Sequence, residues 1–159
     1  MKTTKPKKLM TVSVYHTDKK ILLALKKKGL GTGRYNGFGG KVEKGESIKE
    51  SAIRETKEEG GIDVIKIKRM GVVEAESTER EEILIVYIFK IIKFSGEPKE
   101  SDEMKPKWFN INKIPFAKMW PDDRHWIPLF LKGEKFKLKI LFGKNDKVLD
   151  LNLKKLKKY

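Results

Sequence analysis

Residues 40–62, GKVEKGESIKESAIRETKEEGGI, carry the pattern that most restricts how this chain can fold. The segment 46–59 contains neither Gly nor Pro, and its apolar residues keep the spacing of one helix face. Those apolar residues are Ile48, Ala52 and Ile53. Gly45 precedes the segment and two glycines follow it, as is typical of helix ends. The pattern therefore predicts an amphipathic helix over residues 46–59.

Three carboxylates crowd the end of this predicted helix. Glu55 and Glu59 are four residues apart and share a face, and Glu58 is three residues from Glu55. Like charges at that spacing destabilise a helix unless a positive group lies between them. Arg54 and Lys57 could supply that charge, which would make this an ordinary solvated acidic face. The alternative is a hard divalent cation, and Mg²⁺ usually binds proteins together with substrate phosphates.

The spacing of the whole stretch favours the metal site. It matches the pattern G-x5-E-x7-R-E-U-x-E-E-x-G-U, in which U is a bulky apolar residue. The matching residues are Gly40, Glu46, Arg54, Glu55, Glu58, Glu59, Gly61 and Ile62. Thr56 at the first U position is a mild departure, because its methyl group can still pack. The stretch resembles the Nudix box, which implies an α/β/α sandwich with a mixed β-sheet and a loop-helix-loop motif.

The composition is that of a globular, highly charged chain. Its 159 residues suit one domain, 1–159, with room for a hydrophobic core. No cysteine is present, which excludes disulfides and thiolate chemistry. The longest apolar run, 83–89, is too short to span a bilayer, and no signal-peptide core follows the basic N-terminus. We therefore expect a cytoplasmic protein that does not enter membranes.

Much of the net charge of +15 lies at the two ends of the chain. Residues 1–8 include four lysines and are expected to form a flexible basic tail, while residues 132–159 contain ten lysines and three acidic residues. Such charge can attract nucleic acid, a membrane surface or small anions. A lysine excess at the termini is also a common effect of host composition. We expect no specific nucleic-acid partner, although an RNA substrate stays open.

Alternating and apolar runs predict the strands. They are residues 9–15, 21–25, 63–73, 83–94 and 108–111, followed by a terminal hairpin of 135–142 with 148–153. Residues 26–40, which contain six glycines, and residues 96–107 are predicted as loops. His16 falls in a predicted turn, where we expect its ring to face solvent. With the helix, these runs indicate one α/β domain.

Motifs that extend beyond residues 40–62 point to one branch of this family. The chain contains GRYNGFGGKV at 33–42, ESDEMKP at 100–106 and MWPDD at 119–123. In these stretches it resembles the animal-type oxidised purine nucleoside triphosphatases (8-oxo-dGTPases) of the Nudix family. The resemblance runs from about Leu9 to the C-terminus. It implies a monomer that hydrolyses nucleoside triphosphates to the monophosphate and pyrophosphate with Mg²⁺, for which Mn²⁺ could substitute.

The resemblance also implies roles in metal binding and catalysis. The metal ligands would be Glu55, Glu58, Glu59, Glu103 and the carbonyl group of Gly39. Arg54 would orient the carboxylates through charge-assisted hydrogen bonds, and Lys26 would reach the phosphates or the sugar. Glu59 would accept the proton of the attacking water, with Glu58 and Glu103 as alternatives.

The implied base pocket combines stacking with hydrogen bonding. It would consist of Thr11, Asn36, Trp120, Asp122 and Asp123. Trp120 offers a stacking face, and Asn36 can both donate and accept. Two adjacent carboxyl groups in a desolvated pocket do not both ionise easily, so one would stay protonated and donate. The alternative for Asp122 and Asp123 is an N-terminal helix cap. We expect Trp126 in the core.

Several positions depart from this branch of the family. Aromatic side chains are usual there where this chain has Leu30, Ala75 and Ser77, methionine is common in place of Leu84, and tryptophan in place of Tyr35. These changes would widen the pocket and reduce stacking. The Asn and Asp set still favours a modified purine, as in 8-oxo-dGTP or 2-oxo-dATP. The alternatives are hydrolysis of dinucleoside polyphosphates or capped RNA, and, less favoured, a module that binds nucleotides or RNA without catalysis.

Overall fold

In the computed structural model, which describes residues 5–156, nine β-strands form one mixed sheet. The strands are β1 Lys7–His16, β2 Lys20–Lys26, β3 Tyr35–Asn36, β4 Phe38–Lys41, β5 Asp63–Ser77, β6 Ile83–Ser95, β7 Met104–Asn110, β8 Phe136–Phe142 and β9 Val148–Lys155. Their order is β3-β2-β1-β6-β5-β8-β9, with β4 paired to β1 and β7 paired to β2. The β1–β6 and β5–β8 pairs are parallel, and the other pairs are antiparallel.

Helix α1, Ile48–Gly60, confirms the predicted helix and begins two residues later than expected. Its N-cap is Ser47, whose hydroxyl accepts from the Glu50 backbone N–H at 3.0 Å. The Glu50 carboxylate in turn accepts from the Ser47 backbone N–H at 3.0 Å, which completes a capping box. Gly61 ends the helix with φ 72°, a left-handed conformation that favours glycine. No helix within residues 5–156 is long and apolar enough to cross a membrane.

The two α-helices of the described chain cover opposite faces of the sheet, as expected for an α/β/α sandwich. Helix α2, Asp123–Leu131, places the buried Trp126 in the larger hydrophobic core, so the prediction for this residue is confirmed. Alternate residues of β2 enter different cores, because successive side chains of a strand point to opposite faces. Ile21 lies in the core with Trp126, whereas Leu22 lies with Phe38 in the smaller core beside α1.

The prediction of a loop over residues 26–40 is wrong at its end, where β3 and β4 form. Glycine permits this pairing because it lets two backbones approach closely. A Cβ at Gly39 would lie 1.7 Å from the Thr11 carbonyl oxygen of the neighbouring strand. The loop predicted over 96–107 is also too long, since β7 begins at Met104, and β5 extends to Ser77. The terminal hairpin is confirmed.

The basic tail expected over residues 1–8 is wrong for the part that the structure describes. Residues 1–4 lie outside the described residues. Lys7 pairs with Ile83 at the start of β1, and Lys5 Nζ donates to the carbonyl groups of Ser77 at 2.8 Å and Arg80 at 2.9 Å. Residues 5–8 are therefore attached to the domain through backbone pairing and side-chain hydrogen bonds.

His16 does not face solvent as expected. It is the last residue of β1, and its ring centroid lies 5.4 Å from that of Phe130 in α2. Burial lowers the pKa of His16, because a charged imidazolium would lose hydration there. Its role is packing between the sheet and α2.

Candidate active site

Arg54 lies at the centre of the acidic cluster on α1. Its guanidinium donates to both carboxylate oxygens of Glu46, to Glu55 Oε1 at 2.8 Å and to Glu58 Oε2 at 3.1 Å. The hydrogen bond with Arg54 lowers the pKa of Glu46 to about 2. Arg54 thus orients three carboxylates, as the resemblance implied. Glu46 fixes the arginine in turn, a role that the box pattern left unassigned.

Glu59 is held in the most confined part of the cluster, with 3% of its side chain exposed. Its Oε1 accepts from the Gly39 backbone N–H at 2.8 Å, and Lys26 Nζ lies 3.7 Å from Oε2 and 3.8 Å from Glu103 Oε2. Burial raises the pKa of Glu59 to about 8, against the opposing effects of the Gly39 N–H and Lys26. The neighbouring Glu103 carboxyl raises it further. This carboxyl group can therefore hold or release a proton near neutral pH.

The glycines of β4 let the carboxylates approach the sheet. A Cβ at Gly40 would lie 2.6 Å from the carboxyl carbon of Glu55 and 2.7 Å from each of its oxygens. Any larger residue would displace the Glu55 carboxylate from its place beside Arg54. Burial raises the pKa of Glu55 too. The glycine at this position of the box is thus explained by a direct contact between strand and helix.

Replacing Gly40 by Ala is expected to lower kcat by about tenfold or more while the protein still folds, since small displacements of catalytic groups have large effects on rate. The measurement is kcat and Tm for Gly40→Ala beside a control, Gly133→Ala. Gly133 has φ 74°, and a Cβ added there would meet no atom within 4 Å, so alanine strains the backbone without touching the cluster. Unchanged kcat in Gly40→Ala would contradict this role.

The cluster fits a hard divalent cation. Carboxylate oxygens are the ligands that Mg²⁺ prefers, and Glu59 Oε2 is buried with no hydrogen-bond partner among the described residues. Within residues 5–156 no three acidic or histidine side chains converge on a single point. Arg54 binds oxygens of Glu55 and Glu58, whereas Lys26 lies 3.7 Å from Glu59 Oε2 and 3.8 Å from Glu103 Oε2 without a hydrogen bond. Nudix hydrolases in general use divalent metal ions.

One cavity of about 320 Å³ brings the predicted base-binding residues together with Lys26 and Gly39, which lie beside the acidic cluster. The carboxylates predicted as metal ligands do not themselves line it; they are Glu55, Glu58, Glu59 and Glu103. The predicted residues that line it are Thr11, Lys26, Asn36, Gly39, Trp120, Asp122 and Asp123. Phe142, on β8, lines its other end. Three strand spacings separate β8 from β1, the strand of Thr11, and neighbouring strands lie about 4.8 Å apart, so the cavity spans roughly 14 Å of sheet. It is long enough to hold phosphates at one end and a base at the other.

Asp122 and Asp123 form a buried pair in this cavity. Trp126 Nε1 donates to Asp122 Oδ2 and to Asp123 Oδ1, each at 3.2 Å. Burial raises the pKa of both carboxyl groups, and the charge of Asp122 adds to the increase at Asp123. Asp122 is the N-cap residue of α2, but its side chain makes no capping hydrogen bond, so the capping alternative is wrong for Asp122. Burial instead favours the protonated form of these carboxyl groups.

Two further side chains present polar atoms to the cavity. Thr11 Oγ1 is buried and has no hydrogen-bond partner among the described residues. Asn36 Oδ1 accepts from the Gly37 backbone N–H at 2.8 Å, so its amide nitrogen is left to donate elsewhere. Asp123 Oδ2 is also buried without a partner in the described chain. Donors and acceptors that the protein leaves unmatched in a cavity suit the edge of a base.

The structure adds a cluster around Trp120 that the sequence did not reveal. Arg34 covers the Trp120 ring, with Cζ 4.2 Å from the ring centroid, and its Nη1 donates to Asp146 Oδ2 at 3.0 Å. Arg80 lies on the same cluster, with Cζ 5.8 Å from the ring. These residues come from separate loops, and the only signal in the sequence was a lone arginine in each polar or glycine-rich loop. Nearby, Leu30 is 51% exposed at the cavity edge.

Comparisons with known proteins agree with this geometry. Residues 7–130 match the model of the NUDIX domain. The chain is 42% identical to the oxidized purine nucleoside triphosphate hydrolase of Danio rerio, over 92% of this chain and 94% of that protein. It is 40% identical to the Mus musculus protein of the same name, over 94% and 96%. The mutator MutT protein of Bacillus halodurans has the same fold, with a TM-score of 0.80 over 92% of this chain and 97% of its own, at 24% identity. The chain belongs to the Nudix hydrolase family.

Proposed function

We propose that the protein hydrolyses oxidised purine nucleoside triphosphates to the monophosphate and pyrophosphate with Mg²⁺, and so removes them from the nucleotide pool. The observation that carries this proposal is the cavity, which runs from Lys26, Gly39 and Gly40, the residues beside the acidic cluster, to Trp120 and the Asp122–Asp123 pair. Two relatives at 40–42% identity are named as oxidized purine nucleoside triphosphate hydrolases. A monomeric state and a cytoplasmic location remain predictions.

At the end of the cavity beside Lys26 and Gly39, which we call the phosphate end, different side chains would bind the substrate and transfer the proton. Lys26, which lies between Glu59 and Glu103, can turn its ammonium group to the phosphates. Glu55, Glu58, Glu59, Glu103 and the Gly39 carbonyl would hold Mg²⁺. When bound, the cation would polarise the phosphate oxygens and lower the pKa of the attacking water. Glu59 is the preferred acceptor of the water's proton; it must be ionised to act, and the Gly39 N–H and Lys26 favour that form.

At the base end, Trp120 and the aspartates would recognise the purine. Stacking of a base on an aromatic ring is worth roughly 1–3 kcal/mol. The Asp122–Asp123 pair with one shared proton offers one donor and one acceptor, and Asn36 offers the complementary amide. These donors and acceptors can be arranged to match purines that carry different exocyclic groups. The missing aromatic walls at Ala75 and Ser77 leave more of the selectivity to hydrogen bonding.

A panel of substrates tests the proposal. The panel contains 8-oxo-dGTP, 2-oxo-dATP, dGTP, dATP, a dinucleoside tetraphosphate and a capped RNA, each assayed with Mg²⁺. We expect the highest kcat/KM for an oxidised purine triphosphate, with monophosphate and pyrophosphate as products. A chelator is expected to abolish turnover, and Mn²⁺ to restore part of it.

Two results would contradict the proposal. Equal rates on oxidised and ordinary triphosphates would remove the sanitising role. Preference for the tetraphosphate or the RNA would favour the broader activity, and an RNA substrate would lose affinity steeply with salt because phosphate contacts release counterions.

A further inference from the structure

Arg80 is a cationic side chain of the cavity, and its Nε has no hydrogen-bond acceptor among the described residues. It lies between β5 and β6, its side chain is 21% exposed, and it lines the cavity beside Trp120 and Phe142. Its Nη1 is 3.6 Å from Asp146 Oδ1, which is too far for a hydrogen bond. Its Nε is buried with no partner in the described chain. A guanidinium has five N–H donors, so Arg80 has donors available for an acceptor in the cavity.

Asp146 does not satisfy Arg80 because Arg34 binds the same carboxylate more closely. Arg34 Nη1 lies 3.0 Å from Asp146 Oδ2, so one carboxylate faces two guanidinium groups. Arg34 stacks on Trp120 and is not among the residues that line the cavity, whereas Arg80 is. Of the two arginines beside Trp120, Arg80 is therefore the one that presents its positive charge to the cavity.

The position of Arg80 places this charge at the base end. It follows Ser77, the last residue of β5, which pairs with Phe142 of β8. That pair lies two to three strand spacings, about 10–14 Å, from β1, with which Gly39 and Gly40 of β4 pair. The phosphates belong to the opposite end, beside Gly39 and Glu59. Ala75 lines the cavity and is small, which leaves room for a ligand edge on this side, whereas Ser77 is buried outside the cavity lining.

We propose that Arg80 is a specificity-determining residue, which donates to a carbonyl oxygen on the purine edge and so favours guanine-type over adenine-type bases. The inference rests on the proposed function and deepens it. A guanidinium matches the O6 and N7 acceptors of guanine with two parallel hydrogen bonds. In 8-oxoguanine N7 carries a hydrogen, so the guanidinium has only the O6 acceptor on that edge. Adenine has an amino group in place of O6, and that group offers no acceptor. The ammonium group of a lysine cannot make this pair of parallel hydrogen bonds.

The experiment compares Arg80→Met with Arg69→Met. Arg69 is exposed, lies with Cζ 4.6 Å from the Tyr87 ring centroid and does not line the cavity, so its replacement removes the same charge elsewhere. The readout is kcat/KM with Mg²⁺ for 8-oxo-dGTP, dGTP and dATP. We expect Arg80→Met to lower the value for dGTP by about 5- to 100-fold relative to dATP, and to lower that for 8-oxo-dGTP, which offers O6 alone, by a smaller factor. Arg69→Met should leave these ratios unchanged.

Two outcomes in the hydrolysis assay would overturn the inference. One is an equal loss on all three triphosphates in Arg80→Met. The other is full recovery of the ratios in Arg80→Lys, because this would show that Arg80 acts by charge and not by paired donation.

Nucleotide binding separates failure of the inference from failure of the proposed function. Affinities are measured from tryptophan fluorescence in a Glu59→Gln background, with and without Arg80→Met. If the wild type hydrolyses none of the three triphosphates but Arg80→Met weakens binding of dGTP more than dATP, the proposed function fails and the inference stands. Equal affinities with and without Arg80 would overturn the inference even if hydrolysis is observed.

Discussion

Replacing Glu59 by Gln is expected to lower kcat by at least about 100-fold, since a positioned general base alone contributes about 10²–10⁴-fold. The change also removes a carboxylate oxygen from the cluster that fits the metal. Glutamine has nearly the same shape, and its amide oxygen can still accept from the Gly39 N–H, so the fold should persist. The measurement is kcat at saturating Mg²⁺ and 8-oxo-dGTP. Glu97→Gln, at an exposed loop position, is the matched control. A rate near that of the wild type would show that Glu59 has no catalytic role.

The same substitution has a predictable effect on stability, which gives an independent check of the burial of Glu59. Because its folded pKa is about 8 and its ordinary pKa is 4.5, folding disfavours the charged form. The contribution of Glu59 to the free energy of unfolding is therefore fully present below pH 4.5 and declines as the pH rises towards 8. The glutamine side chain of the variant has no proton to lose. With a chelator present, we expect the variant to gain stability relative to the wild type between pH 5 and 8, by at most about 5 kcal/mol. Parallel pH profiles of Tm would contradict the raised pKa.

The helix of the box is predictable because its determinants are local. The spacing of Ile48, Ala52 and Ile53, and the terminal glycines, specify an amphipathic helix without reference to the rest of the chain. Its start differs from the predicted one because apolar spacing does not fix a helix end, whereas the Ser47–Glu50 capping box does. The strand at 38–41 escapes prediction for a different reason. Glycine has a low preference for strands, and only contact with β1 explains why it is required there.

The electrostatics of the site could be predicted only in outline. The sequence indicates carboxylates near one another, but the pKa of Glu59 depends on burial and on Lys26 and Glu103, which come from other strands and loops. The Arg34–Trp120–Arg80 cluster depends on contacts between residues far apart in sequence. No periodic pattern encodes such contacts, so they follow from the fold alone. The resemblance supplied candidates for the pocket, and the cavity shows that those candidates lie together.

Replacing Asp122 by Asn is expected to remove much of the preference for oxidised over ordinary purines. The wild-type pair with one shared proton can exchange donor and acceptor between its two members, whereas an amide fixes both. Hydrogen bonds that involve charged groups contribute about 1.5–3 kcal/mol, so the ratio of kcat/KM for 8-oxo-dGTP to that for dGTP should fall by about 10- to 100-fold. Asp150→Asn, at an exposed position on β9, is the control and should leave the ratio unchanged.

The pH dependence of that ratio tests the shared proton directly. Burial raises the pKa of Asp122 and raises that of Asp123 well above the ordinary 3.8, so the pair keeps its proton as the pH rises through the usual aspartate range. Only above the raised pKa is the donor lost, and there the wild-type ratio should fall. Glu59 titrates as well, but both substrates use the same acidic cluster, so its effect cancels in the ratio. Asp122→Asn should lack the alkaline fall or show it displaced. If the variant keeps both the wild-type ratio and its pH profile, the pair has no part in selecting the oxidised base, and that discrimination must come from Asn36 and Trp120.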